Sequence, residues 1–196
     1  MKKSSIYLII AAVVVLLGFY GCNTYNGLVS QDENVSRAWA DVEAQYQRRA
    51  DLIPNLVNVV KGYAQHESST LQAVVEARSK ATSVQIDPTN MTEADLEKFQ
   101  QAQDNITSAM SKLLAVVEAY PDLKANENFK ELQAQLEGTE NRIAVERRKF
   151  NEVAQDYNKY IKSFPQLIIA KIFGFDAKPY FKAQAGAETA PQVSFD

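Results

Sequence analysis

The side chains best suited to recognition chemistry in this chain are charged residues that interrupt otherwise apolar helical repeats. An arginine between helices can bind a carboxylate or a phosphate through two parallel hydrogen bonds. The same residues can instead pair with one another and set the register of the helices, as polar residues do at coiled-coil core positions. We favour the register interpretation, because such residues are common in long bundles. The candidates for this polar layer, or for an interaction site, are Arg48, Arg49, Asp51, Glu67, Arg78 and Glu146.

The densest of these clusters, Arg48-Arg49-Ala50-Asp51, comes just before Pro54. As a functional site, its arginines would bind a partner's carboxylate or a lipid phosphate. As a structural one, Asp51 would cap a second helix that begins at Pro54, and the arginines would pair with Glu43 or with acidic residues on neighbouring helices. We favour the cap and the pairing.

The sequence does not favour an enzyme. It has one histidine, His66, and one cysteine, Cys22. A di-iron bundle needs two Glu-x-x-His pairs, and a zinc site needs about three protein ligands, so neither metal site can be assembled. Cys22 and His66 are too far apart along a helix for nucleophilic catalysis, and no Gly-x-Ser-x-Gly or phosphate-binding loop occurs. We therefore expect no catalytic residue, no metal and no cofactor, and we place His66 on the second helix.

An apolar segment near the N-terminus predicts a membrane anchor. No charge occurs from residue 6 to residue 20, and residues 4–22 are just long enough to cross a hydrocarbon core of roughly 30 Å at ~1.5 Å per residue. Lys2 and Lys3 precede it, so the positive-inside bias puts the N-terminus in the cytoplasm and the rest of the chain outside. The residues chosen to represent this span are Ile6, Leu8, Val14, Leu17 and Tyr20.

Two other interpretations of the same segment stay open. Gly21-Cys22 is similar to the end of a bacterial lipobox, in which case Cys22 would be acylated and the leader removed. Alternatively, a secretory signal peptide would be cleaved there. We favour the uncleaved anchor, and all three alternatives leave the following domain outside the cytoplasm.

The remainder of the chain predicts an all-α fold, an elongated antiparallel four-helix bundle over residues 25–164 that follows a transmembrane anchor over residues 1–24. Apolar residues recur at spacings of three and four in four stretches, and glycine and proline fall mostly between them. The first helix ends near Ile53, the second begins at Pro54, and a loop covers residues 82–91. Thr92 and Asp95 form a capping box at the start of the third helix. Pro121 ends that helix, and a fourth runs from about residue 126 to residue 164.

The C-terminal region divides into two parts. Residues 165–182 are apolar and locally basic, and the fourth helix delivers them to the membrane side of the bundle. They could lie in the lipid interface beside anionic head groups, or fold back over the bundle; the sequence does not distinguish the two. Residues 183–196 are predicted to be disordered.

Charge argues against nucleic-acid binding. The chain carries 21 basic and 24 acidic residues, a formal net charge of −3, whereas a nucleic-acid binder normally has a basic surface.

One run of residues is specific enough to indicate a family. It extends from Arg48 to Val57 and is followed by Val60-Lys61-Gly62-Tyr63-Ala64 and His66-Glu67, and further matches include Ala38-Trp39, Glu118-Ala119-Tyr120-Pro121, Asn151, Tyr157-Asn158 and Phe164-Pro165. In these residues the chain resembles the LemA family over nearly its whole length. The resemblance implies a membrane-anchored helical bundle with no established reaction. It also implies a membrane protein that some genomes keep beside membrane metalloproteases or other envelope proteins.

These observations predict a non-enzymatic, membrane-anchored scaffold or adaptor of the bacterial cell envelope. It would be a single-pass protein of the inner membrane whose partners are the lipid bilayer and an unidentified membrane or envelope protein. A bundle held at a bilayer can act by raising the local concentration of what it binds. The alternatives are an extracytoplasmic sensor that binds a small ligand, and a homo-oligomer that assembles into an array on the membrane.

Overall fold

The computed structural model describes residues 3–182, and of residues 3, 5 and 6 it describes only the backbone. The all-α class predicted above is confirmed, since this range contains helices and no strand. The tail predicted to be disordered, residues 183–196, lies outside the described residues. The helices are α1 (Lys3–Tyr63), α2 (Ser68–Thr82), α3 (Glu93–Val117), α4 (Pro121–Ala125), α5 (Glu127–Lys162) and α6 (Gln166–Phe173).

Helix α1 is continuous for 61 residues and passes through Pro54, so the prediction of a second helix beginning at that proline was wrong. The apolar spacing does not change phase at Pro54, because Ile53, Leu56 and Val60 are all fully buried on one face. The helix ends at Tyr63, and residues 64–67 turn the chain into α2.

The continuous helix also corrects two residue assignments. Asp51 lies inside α1 and is exposed, so it cannot cap a helix. His66 lies in the turn between α1 and α2 rather than on the second helix, and its side chain is exposed.

The long helices alternate in direction, as an antiparallel bundle requires. At the distal end, far from the apolar segment, Asn126 before α5 donates a hydrogen bond from Nδ2 to Tyr63 Oη at the end of α1 (2.9 Å). At the proximal end the hydroxyl of Tyr160 on α5 lies against Gly27, where a Cβ atom would overlap it. Helix α5 therefore descends along almost the whole length of α1 that follows the apolar segment.

Capping interactions define where α3 and α5 begin. The predicted capping box is confirmed: Asp95 N donates to Thr92 Oγ1, and Thr92 N donates to Asp95 Oδ2, both at 3.2 Å. Phe129 N donates to Asn126 Oδ1 (3.1 Å) at the start of α5. These caps supply acceptors for backbone N–H groups that have no partner inside the helix.

The bundle contains two hydrophobic cores in sequence along its axis. The distal core is largely aliphatic and is built by α2, α3 and the distal parts of α1 and α5. The proximal core lies nearer the apolar segment and is rich in aromatic side chains. Its aromatic members are Trp39, Tyr46, Phe99, Phe150, Tyr157 and Phe181.

Part of the C-terminal region folds back over the bundle, which is one of the two alternatives left open by the sequence. Helix α6 crosses the proximal end of the bundle and stops at Gly174, whose φ of +74° is readily adopted by glycine. Residues 175–182, here called the return segment, then run back along the bundle. Phe181 stacks on Trp39 with 6.0 Å between ring centroids. The return segment covers the proximal core, which the 15-residue α2 is too short to reach.

The N-terminal part of α1 leaves its apolar side chains exposed. By length and composition this helix could cross a membrane. Among the residues predicted to represent the span, Leu8, Val14, Leu17 and Tyr20 are exposed, and the side chain of Ile6 lies outside the described residues.

Candidate functional site

The most deeply buried charge of the predicted cluster is Arg49, whose side chain is 2% exposed between the two cores. Its Nη1 donates to Glu140 Oε1 at 2.6 Å and to Thr107 Oγ1 at 3.1 Å. Its Nη2 donates to the side-chain oxygen of Gln103 at 2.7 Å and to the carbonyl of Gln103 at 3.2 Å. The guanidinium therefore ties α1 to both α3 and α5.

Only one member of this ion pair is exposed to solvent. Glu140 is 41% exposed, whereas Arg49 is buried and its guanidinium lies 5.2 Å from the Tyr46 ring centroid. Burial raises the pKa of Tyr46, and the charges of Arg147 and Arg49 oppose that shift. Both terminal nitrogens of Arg49 are engaged within the chain, and only its Nε has no partner among the described residues.

Arg78 explains how α1 passes through Pro54. Proline has no N–H, so the carbonyl of Ala50, four residues earlier, loses its helical hydrogen bond. Arg78 on α2 donates from Nε to that oxygen at 2.7 Å. Its Nη2 also lies 4.0 Å from Asp51 Oδ1. Arg78 and Asp51 thus come together beside the proline, where they stabilise an uninterrupted helix.

The other predicted residues lie elsewhere on the bundle. Arg48 is exposed on α1. Glu67, before α2, accepts a hydrogen bond from Tyr120 Oη at 3.3 Å. Glu146 pairs with Lys149 of the same helix at 2.8 Å. The six residues therefore do not share one layer, because a spacing of three and four identifies a face of a helix but not a height along the bundle.

A second buried charge, Lys178 in the return segment, was not among the sequence candidates. It is 5% exposed, and its Nζ lies 2.8 Å from Asp32 Oδ1 on α1. It also donates to the carbonyls of Pro88 (3.0 Å) and Thr89 (2.7 Å) in the loop before α3. Lys178 thereby fastens the return segment to two other parts of the proximal half.

Two asparagines of α5 hold the backbone of the return segment. Asn158 donates from Nδ2 to the carbonyl of Lys178 and accepts from its N–H, both at 2.8 Å. Asn151 makes the same pair of bonds with Phe181, at 3.0 and 2.8 Å. Each asparagine side chain therefore satisfies one backbone donor and one acceptor.

The spacing of these bonds is a signal that the sequence contained. Asn151 and Asn158 lie seven residues apart on one face of α5, a rise of about 10.5 Å. Lys178 and Phe181 are three residues apart, a distance that an extended chain covers at about 3.4 Å per residue. The two spacings agree, but pairing these residues required knowing that the chain reverses direction after α6.

A cleft of about 710 Å³ opens beside Lys178. Its lining includes Asp32, Glu93, Tyr157 and Asp176. Burial raises the pKa of Tyr157, and the nearby carboxylates of Asp32 and Asp176 raise it further. The cleft thus combines a buried hydroxyl that stays protonated at neutral pH with several carboxylates.

Neither residue considered for nucleophilic or metal chemistry has a suitable partner in the part of the chain that the structure describes. Cys22 is exposed on α1, near the proximal end, and His66 is exposed near the distal end. Within residues 3–182, no three histidine, cysteine, aspartate or glutamate side chains gather as metal ligands would.

A family model described as the LemA family matches residues 38–195. The chain belongs to the LemA family. The match begins on α1, just before Trp39, and includes Arg49, Arg78 and both asparagines that hold the return segment. All the contacts described above except those of Gly27 and Asp32 therefore fall between residues of the family region.

Curated relatives of this LemA-family protein include magnetosome proteins. It is 26% identical over 191 residues to Magnetosome protein MamQ of Magnetospirillum gryphiswaldense, covering 86% of this chain and 70% of that protein. It is 26% identical over 184 residues to Magnetosome protein MamQ 2 of Paramagnetospirillum magneticum, covering 84% and 67%. It is also 25% identical over 139 residues to Protein LemA of Metamycoplasma hominis, covering 71% and 60%. The apolar helix and these relatives together indicate a membrane-associated protein.

Proposed function

We propose that this LemA-family protein is a non-enzymatic scaffold or adaptor of a bacterial cell envelope that acts by binding other proteins. The observation that carries the proposal is the continuity of α1, which runs from an exposed apolar segment into both cores of the bundle. With no linker between anchor and bundle, the binding surface is held at a set height above the bilayer. Such tethering raises the local concentration of anything the bundle holds.

The membrane is proposed to be the inner membrane, with the N-terminus in the cytoplasm and the bundle outside. Lys2 and Lys3 support this orientation through the positive-inside bias. A Cys22→Ser/Val75→Cys variant places a single thiol on the exposed face of α2. A membrane-impermeant maleimide should label it in intact spheroplasts, and labelling only after lysis would reverse the orientation.

A binding role fits the way the buried charges are used. The terminal nitrogens of Arg49 and the ammonium group of Lys178 both have partners within the chain. They therefore support the rigidity of the bundle. The exposed surface, rather than these interior groups, is where we expect a partner to bind.

Site-specific photocrosslinking in native membranes tests the proposal. A photoreactive amino acid replaces one exposed residue at a time in the full-length protein, on α2 (Val75), on α5 (Val145), at the distal end (Tyr63) and on the return segment (Tyr180). The buried Leu113 serves as the control position. The crosslinked products are purified and identified by mass spectrometry.

We expect one exposed position to capture the same heterologous protein repeatedly, while position 113 captures none. That result would support the adaptor and identify the face it uses. Recovery of the protein alone, as a ladder of its own multiples, would contradict the adaptor and favour self-assembly instead.

The cleft beside Lys178 favours one second candidate, the recognition of a small solute. Its volume lies within the ~300–1,000 Å³ typical of ligand sites. A sensor of this kind predicts that a solute raises the unfolding temperature by mass action. Loss of that shift in Glu93→Gln, with the ligand-free melting temperature preserved, would support the cleft as the site.

A further inference from the structure

Helix α6 has an apolar face that nothing in the described part of the chain covers. Ile168 and Ile172 lie one turn apart and are 50% and 68% exposed. Ala170 points the opposite way and is buried in the proximal core. Phe164, just before the helix, is 80% exposed. The exposed apolar surface of Phe164, Ile168, Ile172 and Phe173 is here called the α6 face.

The height of α6 along α1 indicates what covers this face. The Phe173 ring lies 4.8 Å from the Tyr25 ring, centroid to centroid, and Phe175 lies 5.9 Å from the same ring. Tyr25 lies five residues beyond Tyr20, the last residue named for the predicted span, which is a rise of about 8 Å. The head-group layer on each side of a bilayer is about 5–8 Å thick. If the hydrocarbon core ends near Tyr20, α6 lies at the level of the head groups.

Charges next to the α6 face suit that position. Lys162 and Lys171 are exposed on either side of Phe164 and Ile168, and Lys159 lies one turn further up α5. Long cationic side chains beside apolar ones are typical of helices that lie in the interface of anionic membranes. Asp176 is also exposed nearby and offsets part of this charge.

We propose that the α6 face inserts into the lipid interface of the leaflet from which α1 emerges, as a second membrane contact. The proposal rests on the membrane anchoring of α1. Two attachment points at the base of the bundle would restrict its tilt and rotation, whereas a single helix leaves both free. The same side of the bundle would then always face partners that diffuse in the plane of the membrane.

Depth-dependent fluorescence quenching tests the second contact on the full-length protein. A Cys22→Ser/Ile168→Cys variant carries an environment-sensitive fluorophore and is reconstituted into phosphatidylcholine vesicles with a minority of phosphatidylglycerol. Brominated lipids act as the quencher. The matched control is Cys22→Ser/Val75→Cys. The side chain of Val75 is about as exposed as that of Ile168 (48% against 50%), but it lies on α2 in the distal half.

We expect a blue-shifted emission and several-fold stronger quenching at position 168 than at position 75. Equal quenching at the two positions would overturn the proposal. A blue-shifted emission at position 168 that disappears when the protein-to-lipid ratio is lowered would also overturn it, because a second copy of the chain would then be covering the face.

A third probe separates this inference from the anchor itself. In Cys22→Ser/Leu17→Cys the fluorophore lies on the apolar part of α1. Quenching at position 17 without quenching at position 168 would reject the second contact and leave the anchor intact. Absence of quenching at both positions would reject the anchor as well.

Charge substitutions on the same face provide an independent check. Ile168→Glu/Ile172→Glu should remove most of the bromolipid quenching of a fluorophore at position 164, since carboxylates disfavour insertion beside anionic lipids. Val75→Glu/Val145→Glu adds the same charge on the flanks of the bundle and should leave the quenching unchanged. Unchanged quenching in both variants, with melting temperatures preserved, would contradict the proposed role of Ile168 and Ile172.

Discussion

The distal and proximal halves of the bundle are packed from different parts. In the distal half, four helices lie side by side and their aliphatic side chains meet in a common core. In the proximal half, α2 is absent, and its position is taken by the return segment and the loop before α3. There the gap is filled by aromatic rings, among them Trp39, Phe150 and Phe181.

The difference shows how a chain can close a bundle without a full fourth helix. A non-helical segment has backbone N–H and C=O groups that need partners when buried. Asn151 and Asn158 provide those partners, and Lys178 satisfies carbonyls of the facing loop. The proximal half therefore depends on side-chain hydrogen bonds where the distal half depends on helix packing. Arg49 lies at the boundary between them.

The largest effect is expected from Trp39→Ala in the proximal core. Trp39 is 2% exposed and contacts the rings of Phe99, Phe150 and Phe181. Its truncation should lower the free energy of unfolding by about 3–5 kcal/mol, measured by chemical denaturation. Hydrogen exchange should increase first in the proximal half if the two cores unfold separately.

The control for this substitution is Val145→Ala on the exposed flank of α5, which should change stability by no more than about 0.5 kcal/mol. A uniform increase in exchange through both halves of Trp39→Ala would show instead that the two cores form one cooperative unit.

Arg49→Ala tests the boundary between the halves. It removes a buried guanidinium and leaves Gln103 without its donor. We expect a loss of about 3 kcal/mol, at the lower end of the range for broken buried pairs, because the half-exposed Glu140 can be rehydrated.

The matched comparison is Glu146→Ala, which breaks a pair with the exposed Lys149 on α5. Its loss should stay below about 1 kcal/mol, as for other surface pairs. Equal losses in the two variants would mean that burial of Arg49 adds nothing to stability.

A double-mutant cycle examines how the distal half supports α1 at its proline. Arg78→Ala leaves the carbonyl of Ala50 without a donor, and Pro54→Ala restores the backbone N–H that would bond to it. The two substitutions should therefore couple by about 1–2 kcal/mol, with Pro54→Ala more stabilising in the Arg78→Ala background than alone. Additive effects in thermal or denaturant unfolding would contradict this role of Arg78.

The smallest effect expected is faster hydrogen exchange in the proximal half at acidic pH. Hydrogen bonding to Lys182 and the attraction of its charge lower the pKa of Glu93, and hydrogen bonds from Thr92 lower that of Asp95. A carboxyl whose pKa is lower in the folded state stabilises the fold above its unfolded pKa, about 4. This stabilisation is lost as the pH falls through the folded pKa.

Protonation of Glu93 would release the end of the return segment, where Lys182 also contacts Glu97. Hydrogen exchange at the Phe181 amide should therefore accelerate below about pH 4 relative to an amide of the distal core, such as that of Leu113. Glu93→Gln should reduce this pH dependence. Parallel acceleration at both amides would show general acid unfolding instead.

Sequence reasoning succeeded where the apolar period was long and uninterrupted. The last two long helices, the capping box at Thr92 and the loop before it were predicted close to their observed positions. It failed at Pro54, because proline was taken as a helix start although the apolar spacing continued through it. The partner that makes the continuation possible, Arg78, is distant in sequence and could not be inferred from local propensity.

The amino-acid sequence by itself determined the helical class, the apolar N-terminal segment and which face of each long helix is buried, because these depend on periodicity and composition within one segment. Only the tertiary structure decided which polar residues meet, as Arg49 meets Glu140 and Asn158 meets Lys178. It also decided that residues 175–182 replace a helix while the α6 face stays exposed. Such pairings depend on the height of each residue along the bundle and on the length of α2, which no single segment encodes.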